Sequence, residues 1–225
     1  MGRGAKKKKR KLKIGKILLT LLMLLILLLI LSFLTDVKIN NIIVKNNIIY
    51  SDWQIIKKAG LSSYPSALKT IPMNVQNKLE KDIYIKAAKV YKRGLNNVVI
   101  EVKENLPLFY YLPKQKTILM DKTETSDNFS VPTVINYVPD KVYAKFLKAI
   151  SSIDYSIIKR ISEIKYDPNE VDNGRFFLTM NDGNQVYLTL NKFSKLDDYL
   201  DIIKEFNNKK GILYLDSGEY FEVKE

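Results

Sequence analysis

The chain carries neither cysteine nor histidine. That removes thiol nucleophiles, disulfides, zinc sites of the Cys/His kind and the commonest general base, and with them sortase-like, cysteine-transpeptidase and Ser-His-Asp chemistry. What remains for catalysis is a Ser/Lys dyad or a pair of carboxylates, and no segment singles one out. The densest acidic group, Asp197, Asp198, Asp201 and Glu205, falls on a predicted helix interleaved with Lys195 and Lys204, the pattern of a solvated, salt-bridged face. Asn181-Asp182-Gly183-Asn184 has the look of a calcium loop but lacks the spaced ligands and the distal Glu, and reads as a hairpin turn. No metal or cofactor is expected.

The other chemistry in the sequence is electrostatic. Arg3, Lys6, Lys7, Lys8, Lys9, Arg10, Lys11, Lys13 and Lys16 crowd the N-terminus with no acid among them, so most of the formal net charge of +13 belongs to this tail. Such a run could grip nucleic acid. Here it abuts an uncharged segment, Ile17 to Leu34, broken only by Thr20 and Ser32, which as a helix covers roughly 27 Å and can cross a bilayer. The segment is longer than the apolar region of a cleavable signal, and Ser32-Phe33-Leu34-Thr35 offers no small-x-small cleavage site, so a retained anchor is expected. Basic residues beside a membrane segment stay on the cytoplasmic side, which makes Lys6 to Lys16 topology determinants and places the bulk of the chain outside.

The part beyond the anchor is long enough for one large domain or two small ones. The spacing predicts a tail over 1–16, a membrane helix over 17–34, a first domain over 36–107 and a second over 108–225. In the first, Val37 to Lys45 reads as a strand, and "YSDWQIIKKAGL" reads as a helix with a Ser51/Gln54 capping box, a Tyr50/Ile55 staple and Gly60 at its end. A second helix is expected over Asn74 to Lys81, with Val75 and Leu79 on one face. A hairpin about Gly94 to Asn97 matches Ala88 and Val90 to Val98, Ile100 and Val102. The order β-α-α-β-β results, and both helices must cover one face of a three-stranded sheet.

The second domain reads as mixed and β-rich with packed helices, which makes the whole α+β. Its strands are expected over Thr117 to Asp121, Val131 to Tyr137, "ISEIKYDP", a hairpin from Phe176 to Leu190 turning at Asp182-Gly183, and "ILYLDSGEYFEV". Its helices are expected over Tyr143 to Ile153, with Phe146, Leu147 and Ile150 on one side, and over "SKLDDYLDIIKEFNNKKG". In the latter Leu196, Tyr199, Leu200, Ile203 and Phe206 point inward.

Taken in order, these features resemble the FtsQ/DivIB bacterial cell-division family over nearly the whole chain: a short basic tail, one membrane helix, a POTRA domain of β-α-α-β-β order and a second β-rich domain. "VKINNIIVKNNIIYSDWQIIKKAGL" is similar to the opening strand and helix of the family's POTRA domain. "YIKAAKVYKRGLNNVVIEVKENLP" is similar to its closing hairpin with a V-x-E ending. "VPTV" at Val131, "DG" at Asp182, "KL" at Lys195 and "GILYLDSGEYFEV" match later landmarks. Two departures stand out: Asn46 occupies the place of a usual Gly, and the hairpin turn near Leu95 lacks a usual Pro.

The resemblance implies a non-enzymatic divisome scaffold at the septum. Its partners would be FtsL-like and FtsB/DivIC-like single-pass proteins, and through them it would help place septal peptidoglycan synthases. It also implies that a C-terminal sheet edge accepts a partner strand. Carried onto this chain, that edge is Ile212 to Leu215 and Tyr220 to Val223, so Ile212, Tyr214, Tyr220, Phe221 and Val223 are the candidate partner-binding residues, with an aromatic pair that merely closes the sheet as the plain alternative. The face carrying Trp53 is a further candidate, although a lone Trp near a helix start more often belongs to a core. The reading from another class is a membrane-anchored Ser/Lys peptidase of signal-peptidase type. It needs a Ser just outside the membrane in an S-x-M-x-P setting, which Ser51, Ser62 and Ser63 lack.

Overall fold

The computed structural model describes residues 14–207 and 209–224. Of the basic tail, Lys6, Lys7, Lys8, Lys9, Arg10, Lys11 and Lys13 lie outside the described residues, while Lys16 sits on the first helix, α1 (Ile14–Asp36). Its apolar stretch Ile14–Phe33 is wholly unburied and has the length and composition of a single-pass membrane anchor.

The chain divides into two compact units, the first ending at Glu104 and including α1, the second beginning at Asn105. The boundary expected after 107 lies slightly late, because Pro107 already pairs with Leu119 in the second sheet.

The first unit runs β1 (Asn41–Lys45), α2 (Asp52–Ala59), α3 (Pro72–Leu79), β2 (Ile85–Arg93) and β3 (Asn97–Glu104). Its three-stranded sheet has the order β1-β3-β2, with β1 parallel to β3 and β2 antiparallel to it. The hairpin register sets Ala88 opposite Val102 and Val90 opposite Ile100, as the alternation requires. Both helices seal this face: Ile55, Leu79 and Ile100 are fully buried, each worth about 1.5–3 kcal/mol of hydrophobic stabilisation.

Local chemistry fixes the ends of these elements. Ser51 and Gln54 make the reciprocal capping box of α2, and Gly60 takes the left-handed conformation that ends it (φ 75°). Asn46 adopts φ 64° after β1, so it performs the turn a Gly would otherwise make. The strand expected from Val37 joins the ladder only at Asn41, because the backbone of Val37 and Ile39 bonds with Ala67 and Pro65 instead.

The second unit contains β4 (Pro107–Tyr111), β5 (Lys116–Leu119), β6 (Glu124–Thr125), β7 (Thr133–Val134), α4 (Asp140–Ile150), α5 (Tyr155–Ile158), β8 (Ile161–Tyr166), β9 (Arg175–Met180), β10 (Gln185–Thr189), α6 (Tyr199–Glu205), β11 (Gly211–Tyr214) and β12 (Tyr220–Val223). Its nine strands form one sheet of order β12-β11-β10-β9-β8-β7-β4-β5-β6. Phe146 of α4 stacks on Phe176 of β9 at 4.8 Å, and Phe193 closes on both at 5.6 Å.

Two expected elements change form here. The strand over Val131 to Tyr137 shrinks to Thr133–Val134, since the Asn136 side chain takes over the pairing: its amide donates to the Tyr166 carbonyl and its oxygen accepts the Tyr166 N–H, both at 2.8 Å. The last long helix is a 3-10 turn over Leu190–Asp198 before it becomes α6. Three residues per turn puts Phe193, Leu196 and Tyr199 in one buried row and rotates Leu200 outward, to 42% exposure, against the inward position expected from an α-helical period.

Candidate functional site

Because β12 ends the sheet order, its far side is an open edge. Which backbone groups face that edge follows from the phase of the ladder. The Lys224 N–H donates to the Lys210 carbonyl, while the Leu215 N–H donates to Tyr187 on β10. Opposed residues in an antiparallel pair alternate between bonded and non-bonded, so Ile212/Glu222 and Tyr214/Tyr220 are the bonded pairs of β11 and β12. The N–H and C=O of Phe221 and Val223 therefore point away from β11, toward the open side.

The candidate side chains divide between the two faces. Ile212, Tyr214 and Tyr220 share the face away from the helices, with Tyr187 of β10 and Phe177 of β9. There an aromatic row runs across four strands: Phe177 to Tyr187 at 4.7 Å, Tyr187 to Tyr214 at 5.4 Å and Tyr214 to Tyr220 at 4.6 Å. Arg175 packs 4.0 Å over the Tyr187 ring, held by Asp167 at 2.6 Å and Asp216 at 2.7 Å. Burial works against the Arg175 charge, but the two carboxylates prevail and keep its pKa above the ordinary value. The Tyr214 hydroxyl donates to Glu222 at 3.0 Å, a bond that raises its pKa.

Phe221 and Val223 belong to the opposite face, where Phe221 stacks on Phe206 just past α6 at 4.8 Å. The Phe221 ring is thus occupied within the chain, and what it offers the edge is backbone.

Sequence reasoning placed Asn184 in the hairpin turn but missed its role: it is fully buried between the β9–β10 turn and the start of β11. Its side-chain oxygen accepts the Gly211 N–H at 2.9 Å, its amide donates to the Tyr199 hydroxyl at 3.0 Å, and that hydroxyl donates to Asp182 at 2.7 Å. The residues with a calcium-loop look are in this way spent on positioning the edge strands. The available signal was a polar residue directly after the Asp-Gly turn. Trp53 is 56% exposed at the start of α2, so it lies outside the core of the first unit.

For the peptidase reading the structure brings Lys116 and Ser126 together: the Lys116 amine donates to the Ser126 hydroxyl at 2.6 Å. The contact is exposed, and a lysine serves as a general base only where burial strips its ammonium of water. Among the described residues no group of three or more His, Cys, Asp or Glu could hold a metal ion.

Comparison with known proteins gives the family. The FtsQ-type POTRA domain matches residues 37–105, and the C-terminal domain of the cell division protein FtsQ/DivIB matches residues 91–217. The chain belongs to the FtsQ/DivIB family. Among curated relatives, the cell division protein DivIB of Listeria monocytogenes is 27% identical over 197 residues, covering 82% of this chain and 72% of that protein. DivIB of Bacillus subtilis is 27% identical over 196 residues, covering 82% and 74%. A solved extracytoplasmic domain of DivIB from Geobacillus stearothermophilus aligns with TM-score 0.37 at 20% identity, over 47% of this chain and 97% of that one, too loose a likeness to carry a conclusion. These relatives are cell-division proteins, and the FtsQ/DivIB C-terminal match ends at 217, just before β12.

Proposed function

We propose that this protein is a non-enzymatic, membrane-anchored scaffold of the division machinery. Its basic tail lies in the cytoplasm, its two folded units lie outside the membrane, and it concentrates at the septum. There it binds FtsL-like and FtsB/DivIC-like single-pass proteins and through them helps organise septal peptidoglycan synthesis. The observation that carries the reading is the open edge of β12, with the outward N–H and C=O of Phe221 and Val223 ready to bond an added strand. The uncharged span of α1 beside Lys16 supports the anchor and its direction.

Proline separates this reading from a general loss of fold. Val223→Pro removes an outward N–H and no sheet bond, whereas Glu222→Pro removes a bond of the β11–β12 ladder. In a pull-down of full-length chain with a DivIC-like partner, Val223→Pro abolishes capture while the melting temperature stays put. Capture by Val223→Pro equal to the parent would overturn the edge as the binding site. A fluorescent fusion that forms no mid-cell ring in dividing host cells would overturn the division role.

A further inference from the structure

A concave groove of about 620 Å³ lies beside α4, closed by the loop at Asp172 to Gly174 and by Leu190 and Asn191 at the start of the 3-10 turn. One wall is a row of lysines, Lys141, Lys145 and Lys148, and the apolar lining is Val142, Ala149 and Leu190. At helical rise the three cations succeed one another by about 6 Å and about 4.5 Å along the axis. All three are exposed, and among the described residues none makes an ion pair. The nearby carboxylate of Asp172 is engaged by its own loop, accepting the Gly174 N–H at 2.5 Å. The row is also out of keeping with its surroundings, since acidic residues outnumber basic ones in the unit that carries it.

We propose that this groove binds a soluble, linear phosphodiester polymer, with successive phosphates against Lys141, Lys145 and Lys148 and the chain's carbon backbone against Val142, Ala149 and Leu190. Each compact ammonium meets a phosphate as a point charge, and three such charges on flexible stems can follow the successive phosphates of one chain without the fixed planar geometry that a guanidinium fork demands. A file of like charges left unpaired on one groove wall suits a ligand whose own charges repeat along a line. The inference is independent of the β12 edge.

The test uses the full chain in nanodiscs of zwitterionic lipid, titrated with a fluorescent poly(glycerol phosphate) oligomer. The triple variant Lys141→Gln/Lys145→Gln/Lys148→Gln is compared with Lys69→Gln/Lys81→Gln/Lys86→Gln, which removes equal charge from the exposed surface of the other unit and leaves the basic tail intact. The groove variant binds about tenfold more weakly and its log–log salt slope is shallower by about 2, while the control keeps its affinity within about twofold. Equal losses in both variants would overturn the proposal, because net charge alone would then account for binding. Tighter binding of a polyglutamate of matched charge would overturn it in favour of an acidic protein segment. Selective recruitment to phosphatidylglycerol vesicles without binding the free polymer would overturn it in favour of a membrane surface. All three lysines are exposed, so a melting curve unlike the parent's would itself contradict the free, unpaired row on which the proposal stands.

Discussion

The backbone N–H of Gly211 ends on the side-chain oxygen of Asn184, 2.9 Å away, so the first residue of β11 is tied to the turn that begins β10. Asn184 is buried, and its amide is engaged by Tyr199, whose hydroxyl is pushed up in pKa by burial and by its bond to Asp182. Asn184→Leu keeps the branched side-chain shape and deletes both bonds, leaving the Gly211 N–H without an acceptor. The expected cost is about 1–3 kcal/mol in denaturant unfolding. Hydrogen exchange checks the mechanism: amides of β11 and β12 lose protection before those of β9. Uniform loss across the sheet would show that Asn184 supports the unit as a whole.

Gly211 itself admits no side chain. A Cβ placed there would lie 2.1 Å from the Glu222 carbonyl oxygen and 2.7 Å from the Phe221 ring. Gly211→Ala therefore forces β12 off β11, and the protein retains its core while losing protection in Tyr220 to Val223 and losing capture of a partner strand. Retained capture at parental affinity would place the binding surface elsewhere.

Tyr220 and Phe221 are adjacent in sequence yet face opposite sides of the sheet, so alanine at each position separates recognition from packing. Tyr220 is 49% exposed and closes the aromatic row at 4.6 Å from Tyr214, where loss of the ring pair costs about 0.5–1.5 kcal/mol. Phe221 stacks on Phe206 against the core. Phe221→Ala is expected to lower the melting temperature more than Tyr220→Ala does, and Tyr220→Ala to weaken partner capture more than it lowers stability. The reverse order in a paired melt and pull-down would make the row a structural ladder alone.

The first unit was legible in large part because its signals are local: a capping box, a Gly60 that ends its helix, alternating strands, and a turn whose Asn46 tolerates φ 64°. The end of its closing hairpin shows what was not legible. Glu104 accepts the N–H groups of Ile48 at 2.6 Å and Tyr50 at 3.1 Å, together with that of Ile49, so an acid on β3 holds the loop before α2 across more than fifty residues of chain. In the second unit, Leu200 was misplaced because hydrophobic spacing alone does not separate a 3-10 from an α-helical period. The open edge could be located by resemblance. The phase that turns Phe221 and Val223 outward depends on long-range register and lies beyond any local pattern.

The acid and alkaline limits of the first unit follow from Tyr50, Lys58 and Asp82. Burial alone would lift the Asp82 carboxyl, but the Lys58 amine at 2.6 Å and the Tyr84 N–H at 2.9 Å outweigh it and hold the pKa below the ordinary value. The same bond to Asp82 raises Lys58 against the opposing effect of burial, and burial, with Asp82 adding to it, pushes the Tyr50 hydroxyl up to about 12. A lowered carboxyl stabilises the fold fully above its unfolded value of about 4, and the gain drains away as pH falls through the lowered value. The raised Lys58 and Tyr50 stabilise fully below their unfolded values of about 10, and their gain drains away as pH rises through the raised ones. Melting temperature plotted against pH should therefore show a plateau between these limits. Asp82→Asn should lower the plateau, by about 1 kcal/mol given that Lys58 is partly exposed, flatten the acid flank because position 82 no longer titrates, and soften the alkaline flank through Lys58, while burial preserves most of the Tyr50 contribution. An Asp82→Asn curve parallel to the parent at every pH would mean that the three groups are not coupled.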